Sequence, residues 1–105
     1  MNLPKVILDL IDTQNSFDSA AYANCFSETA VVFDEGKTHR GRREIEDWIK
    51  DANDRYHATM QPVNFDETES ILKTEVSGNF DGSPILLNYH LEIKDHLIQS
   101  LRVTG

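Results

Sequence analysis

The sequence predicts an α+β domain in which helices come first and an antiparallel sheet follows. Apolar residues recur every three to four positions in the first half of the chain, which is typical of helices with one buried face. From His57 onward, apolar and polar residues alternate, as in strands that bury one face. Helices followed by a run of strands favour an α+β architecture over alternating βαβ units.

The first two helices are predicted within residues 3–26. The first helix ends at Asn15-Ser16, and Asp18 is a suitable N-cap for a short second helix that reaches about Phe26. Phe17 before this cap and Tyr22 after it could form a hydrophobic staple. The apolar stripe of the first helix consists of Leu3, Val6, Ile7, Leu10 and Ile11.

A strand and a third helix follow. The run Ala30–Phe33 has high β propensity, and Glu35-Gly36 predicts a turn after it. Gly41 could cap a helix from about Arg42 to Tyr56. The apolar face of this helix consists of Ile45, Trp48, Ile49, Ala52 and Tyr56.

The second half of the chain predicts an antiparallel meander. A strand along residues 72–80 ends at the break Gly82-Ser83-Pro84, and the strand along residues 87–93 meets a tight turn at Lys94-Asp95 before the last strand. Met60 to Phe65 is a further strand, which Pro62 favours at the sheet edge. A curved sheet wrapped over a long helix would leave a cone whose mouth could hold a ligand.

Composition narrows the function classes. The 105 residues suit one domain spanning 1–105, and the net charge of −8 would repel a nucleic-acid backbone. Cys25 has no disulfide partner, no apolar run is long enough for a membrane span, and the N-terminus lacks signal-peptide features. These features predict a cytoplasmic protein without membrane or nucleic-acid partners. Scattered histidines and the absence of nucleotide-binding motifs predict neither a metal site nor a cofactor.

Three stretches give the chain a family resemblance. Ala21–Asp34 is similar to the helix-into-strand passage of the nuclear transport factor 2-like superfamily, within it the SnoaL-like proteins. Gly41–Ile45 resembles the start of its third helix, and Val76–Pro84 with the alternating residues after it resembles its long paired strands. The resemblance implies a cone-shaped sheet wrapped over three helices, a hydrophobic pocket, and a homodimer packed through the sheet. Members include ketosteroid isomerase, polyketide cyclases, dehydratases, epoxide hydrolases and binding modules, so no single activity is implied.

Asp34 is the first candidate catalytic residue. It ends an apolar strand, and burial at a pocket wall would raise its pKa toward that of a general base. The resemblance places it where the isomerase-like proteins have their base. The alternative is that Asp34 starts the Glu35-Gly36 turn and bonds backbone amides.

An isomerase also needs a donor to the developing oxyanion. The resemblance implies a tyrosine on the first helix, where this chain has Leu10, and an acid on the penultimate strand, near which it has Tyr89. Leu10 cannot donate. Tyr89 could donate, or it could be an ordinary core aromatic.

Four further residues are candidate binding residues. Tyr22, Trp48 and Tyr56 would line an open pocket, although a filled core needs the same residues. His39 could approach Asp34 across a hairpin as an Asp–His dyad, or it could be a surface histidine.

Three functions remain compatible with these residues. The first is a homodimeric binding module whose pocket takes an unidentified apolar small molecule. The second is an enzyme that abstracts a proton from an apolar carbonyl substrate, with Asp34 as base and Tyr89 as donor. The third is a non-catalytic protein-interaction domain whose cone is filled by its own side chains.

Overall fold

The chain folds into three helices and six strands, which confirms the α+β class. The computed structural model describes all residues from Met1 to Gly105. In chain order the elements are α1 (Lys5–Asn15), α2 (Ser19–Ala23), β1 (Phe26–Asp34), β2 (Lys37–Arg40), α3 (Gly41–Tyr56), β3 (Thr59–Asp66), β4 (Ile71–Ser77), β5 (Ile85–Lys94) and β6 (Leu97–Thr104).

The six strands form one sheet in the order β2-β1-β6-β5-β4-β3. All neighbouring strands are antiparallel except β1 and β6, which are parallel. The sheet is therefore mixed rather than wholly antiparallel, because the chain leaves β1 through β2 and α3 and returns to β1 only with its last strand. β3 lies at the edge, as Pro62 predicts, and its pairing with β4 shifts register between Pro62 and Asn64.

The predicted cap of α2 is confirmed, whereas the predicted staple is wrong. Asp18 Oδ1 accepts a hydrogen bond from the Ala21 backbone N–H at 3.1 Å. The helix ends at Ala23 because Phe26 already belongs to β1. Tyr22 is buried in the core, but the Phe17 ring packs edge-on against His57 instead, at 5.9 Å between ring centroids.

Two tight turns connect the hairpins. Glu35 and Gly36 both have positive φ, at 51° and 74°, which confirms the turn between β1 and β2. The turn between β5 and β6 uses Asp95 and His96, one residue later than the sequence predicts. Lys94 belongs to the strand, where it pairs with Leu97.

Gly78 brings the end of α3 close to the end of β4. A Cβ added at Gly78 would lie 2.6 Å from the Tyr56 carbonyl oxygen, which also accepts a hydrogen bond from the Asn79 backbone N–H at 2.7 Å. Only glycine permits this approach. The contact fixes Tyr56, the last residue of α3, against the sheet.

The core fills one end of the sheet. α1 packs on α2 and on β3, α2 packs on α3, and the first turn of α3 lies against the start of β1, where Arg42 Nε donates to the Phe26 carbonyl oxygen at 2.8 Å. The apolar side chains that meet around the start of β1 and of β6 are buried. We call this the closed end, and we call the opposite end, at Asp34 and Val103 under α3, the open end. The largest fully buried aliphatic and aromatic residues are Ile7, Leu10, Tyr22, Phe26, Ile45, Leu72, Ile98 and Leu101. No helix combines the length and the apolar character that crossing a membrane requires.

Candidate functional site

A cavity of about 780 Å³ lies between α3 and the open end of the sheet. This volume falls within the range of sites that bind small molecules. Apolar and aromatic side chains from both layers form much of its wall: Trp48, Ala52 and Tyr56 of α3, Met60 of β3, Phe80 after β4, Leu87 and Tyr89 of β5, and Val103 of β6.

Asp34 lies in the cavity wall at the end of β1. Its side chain faces the same side of the sheet as Val32, which is fully buried. Burial raises the pKa of the Asp34 carboxyl, and the neighbouring charge of Glu35 adds to this effect; the Trp48 indole N–H, His39 and a backbone N–H oppose it. Asp34 also pairs with Lys37 beside the turn between β1 and β2. Its position is therefore compatible both with a catalytic carboxylate and with a residue that starts the turn.

Tyr89 contributes a phenol to the same cavity. Its hydroxyl makes no hydrogen bond within the chain, and burial together with the charge of Asp34 raises the pKa of Tyr89. The phenol therefore stays protonated at neutral pH, and it can donate a hydrogen bond.

The structure brings three of the four candidate binding residues into the cavity wall. His39 stacks on Trp48, with ring centroids 5.6 Å apart and planes 29° apart, and Tyr56 meets the Phe80 ring edge-on at 6.0 Å. No hydrogen bond joins His39 to Asp34.

Tyr22 lies behind the wall. It is 1% exposed, and its ring lies 6.2 Å from that of Trp48, so it supports the cavity wall without lining it.

Two polar residues of the cavity were missed by the sequence reasoning. Gln14 of α1 and Asn53 of α3 both line it, both are 6% exposed, and Gln14 Nε2 donates to Asn53 Oδ1 at 3.0 Å. Each residue continues the apolar stripe of its helix at a spacing of three or four. A polar residue on a predicted apolar face is the signal that could have found them.

Helix α1 thus supplies an amide where the resemblance implies a phenol. Leu10 is fully buried in the core and does not line the cavity. Gln14, one helical turn later, is the residue of α1 that lines the cavity and carries a hydrogen-bond donor. Its amide is already held by Asn53 and by the Ala58 carbonyl.

Acidic side chains outnumber basic ones around the cavity. Arg55 forms an ion pair with Asp51, with 2.8 Å between the guanidinium nitrogen and the carboxylate oxygen, and this pairing reduces the attraction of Arg55 for a bound anion. No group of three His, Cys, Asp or Glu side chains is placed to hold a metal ion. The carboxylates along the wall are Asp34, Glu35, Glu44, Asp47 and Asp51, and the cations are Lys37 and Arg55.

Comparison with solved structures finds close likeness over nearly the whole chain. A candidate polyketide cyclase from Sinorhizobium meliloti is 32% identical, with a TM-score of 0.89, over 97% of this chain and 95% of that one. A ketosteroid isomerase-like protein from Catenulispora acidiphila, in complex with trimethylamine, is 16% identical, with a TM-score of 0.79 and coverage of 99% and 87%. A computationally designed 17-OHP binder is 13% identical, with a TM-score of 0.78 and coverage of 96% and 89%.

No protein-family model and no curated protein matches the chain. The Sinorhizobium protein, at 32% identity over nearly both full lengths, is nevertheless close enough to establish kinship, and the fold is shared with proteins described as NTF2-like. The chain therefore belongs to the nuclear transport factor 2-like superfamily, among its SnoaL-like proteins.

Proposed function

We propose that this protein binds a small, largely apolar molecule in the cavity under α3. The observation that carries the proposal is the unfilled volume itself, walled by Trp48, Tyr56, Phe80 and Tyr89. Two neighbours of the same fold support the proposal: one was solved in complex with trimethylamine, and the other is a computationally designed 17-OHP binder. Aromatic walls with a few inward polar groups are the usual composition of such sites.

The test is direct binding of an uncharged apolar dye. N-phenyl-1-naphthylamine should bind once per chain and should quench Trp48, the single tryptophan. Ala52→Leu adds bulk to the cavity wall and should abolish binding, whereas Ala20→Leu on the exposed side of α2 should not. Equal binding by both variants would show that the dye does not occupy this cavity.

A second candidate function is proton abstraction from a carbonyl substrate, and Asp34 is the observation that favours it. Its half-buried carboxyl has a raised pKa and shares the cavity with the protonated phenol of Tyr89. In this reaction the Asp34 carboxylate takes a proton from the carbon beside the carbonyl. The resulting enolate oxygen accepts a hydrogen bond from Tyr89, and the carboxylic acid then returns the proton.

Proton exchange of 2-tetralone in deuterated water tests this reaction. The protein should accelerate exchange at the carbon beside the carbonyl, and Asp34→Asn should remove the acceleration, which for a positioned base is about 10²- to 10⁴-fold. Tyr89→Phe should retain part of it. Unchanged exchange in Asp34→Asn would exclude Asp34 as the base.

We also propose that two copies associate through the outer face of the sheet. Register places Phe33, Arg102, His90 and Ile71 in one row across β1, β6, β5 and β4 on that face. Phe33 is 42% exposed, so a partner would bury apolar area. Light scattering should give twice the mass of 12.0 kDa at micromolar concentration, and Phe33→Glu should lower it. A wild-type monomer would refute the dimer.

A further inference from the structure

Asn53 carries the one buried side-chain polar atom that has no hydrogen-bond partner. The residue lies in the cavity wall and is 6% exposed. Its Oδ1 accepts a hydrogen bond from Gln14, whereas Nδ2 has no acceptor. A buried donor without an acceptor is unfavourable, and most proteins avoid it. The missing acceptor is therefore expected to come from outside the chain.

Gln14 determines which end of the Asn53 amide is free. Gln14 Nε2 donates to the Ala58 carbonyl oxygen at 2.7 Å, which identifies this end of Gln14 as the N–H group. The same Nε2 lies 3.0 Å from Asn53 Oδ1. Turning the Asn53 amide over would set N–H groups against each other. The free group of Asn53 is thus a donor, and its partner must be an acceptor.

The charge around the cavity discriminates among acceptors. Five carboxylates line it against two basic side chains, and one of these, Arg55, is already held by Asp51. A carboxylate or phosphate ligand would be repelled by this surrounding charge. An uncharged carbonyl or hydroxyl oxygen accepts a hydrogen bond without that repulsion.

We propose that the cavity takes an uncharged, oxygen-bearing ligand whose carbonyl or hydroxyl oxygen accepts a hydrogen bond from Asn53 Nδ2. The apolar body of the ligand packs against Trp48 and Tyr56. The inference rests on the proposed binding function, and it adds the chemical class of the ligand and the residue that selects it.

Three probes of nearly equal shape separate these contributions. Cyclohexyl methyl ketone has a carbonyl oxygen, isopropenylcyclohexane replaces that oxygen with a methylene group, and cyclohexanecarboxylate carries a charge. Each is titrated into the ¹⁵N-labelled full chain. The ketone should bind about 3- to 10-fold more tightly than the alkene, as one neutral hydrogen bond provides, and the carboxylate should bind most weakly. The Asn53 side-chain amide resonances should shift with the ketone and not with the alkene.

Asn53→Leu removes the donor, while Gln14 Nε2 keeps its bond to Ala58. This variant should bind ketone and alkene equally. Asn64→Leu, the same substitution on exposed β3 away from the cavity, should keep the preference for the ketone.

The outcomes distinguish this inference from the proposed function. If the ketone and the alkene both shift the Trp48 indole resonance but bind equally to the unmodified protein, with Asn53 unperturbed, the inference is overturned while binding stands. If no probe shifts the Trp48 resonance, the cavity does not bind such molecules, and both proposals fail.

Discussion

At the closed end of the sheet the inward side chains are aliphatic or aromatic and buried, whereas the open end mixes aliphatic, aromatic and polar side chains, several of which are only partly buried. Strands β1 and β6 pass through both environments. β1 begins with the buried Phe26 and ends with the half-buried Asp34; β6 begins near the fully buried Ile98 and ends beside the cavity at Val103. One continuous sheet thus has a filled and an unfilled end.

The difference shows how one fold combines a packed core with an unfilled cavity. α1, α2 and the start of α3 bring enough apolar side chains to fill the closed end, so we expect stability to be concentrated there. α3 covers the open end with one face only, and the remaining space stays available for a ligand. Groups that are costly in a packed core, such as the unpaired Nδ2 of Asn53, occur beside the cavity.

Replacing equivalent rings at the two ends should give the largest contrast in stability. Phe26→Ala leaves a cavity in the closed end and should lower the free energy of unfolding by about 3–5 kcal/mol. Phe80 is only half-buried, so Phe80→Ala should cost roughly half as much. Urea unfolding followed by circular dichroism measures both variants. Equal losses would contradict the proposed concentration of stability at the closed end.

Gly78→Ala should affect the junction that positions Tyr56. The added Cβ would meet the Tyr56 carbonyl oxygen, which is backbone and cannot rotate away, so we expect a loss of about 1–3 kcal/mol. Dye binding should weaken as well, because Tyr56 lines the cavity. Gly105→Ala adds a Cβ that meets nothing and is the matched control for stability. Wild-type stability in Gly78→Ala would mean that α3 shifts without cost.

Asp34 should make the open end less stable as pH rises. Its folded-state pKa is raised above the usual 3.8, mainly by burial. As pH rises, the carboxyl therefore loses its proton at a lower pH in the unfolded chain than in the folded chain. Stability is therefore complete below the usual pKa, falls between the usual and the raised pKa, and remains lower above it. Asp34→Asn should be more stable than the wild type at neutral pH, and this difference should vanish near about pH 3. A constant difference in urea unfolding across this range would contradict the raised pKa.

Surface ion pairs should contribute least, and equally at both ends. Lys5–Asp9 on α1 and Arg55–Asp51 on α3 are exposed pairs four residues apart, at 3.0 and 2.8 Å. Removing either cation by alanine substitution should leave stability nearly unchanged, because exposed pairs are screened by solvent. Thermal unfolding at low and high salt measures this. A markedly larger loss for Arg55→Ala would mean that the pair supports the cavity wall.

Part of the site could be predicted from the sequence. Residue type and position indicate five candidate residues that the structure places around one cavity: Asp34, His39, Trp48, Tyr56 and Tyr89. Their convergence could not be derived from the sequence, since it depends on how α3 packs across the sheet. Asn53 and Gln14 were missed because a polar residue on an apolar helix face identifies neither its partner nor a cavity.

The sequence by itself determined the α+β class and most of the elements, although the short strand β2 was not predicted. Periodicity fixed which segments are helices or strands, Asp18 fixed a helix start, and Pro62 fixed an edge strand, because these preferences act over a few residues. Tertiary structure alone decided that β6 lies parallel to β1 and that the space under α3 stays open. Both depend on contacts between residues far apart in the chain, where pairing direction and filled volume are set by the packing of whole layers rather than by local preference.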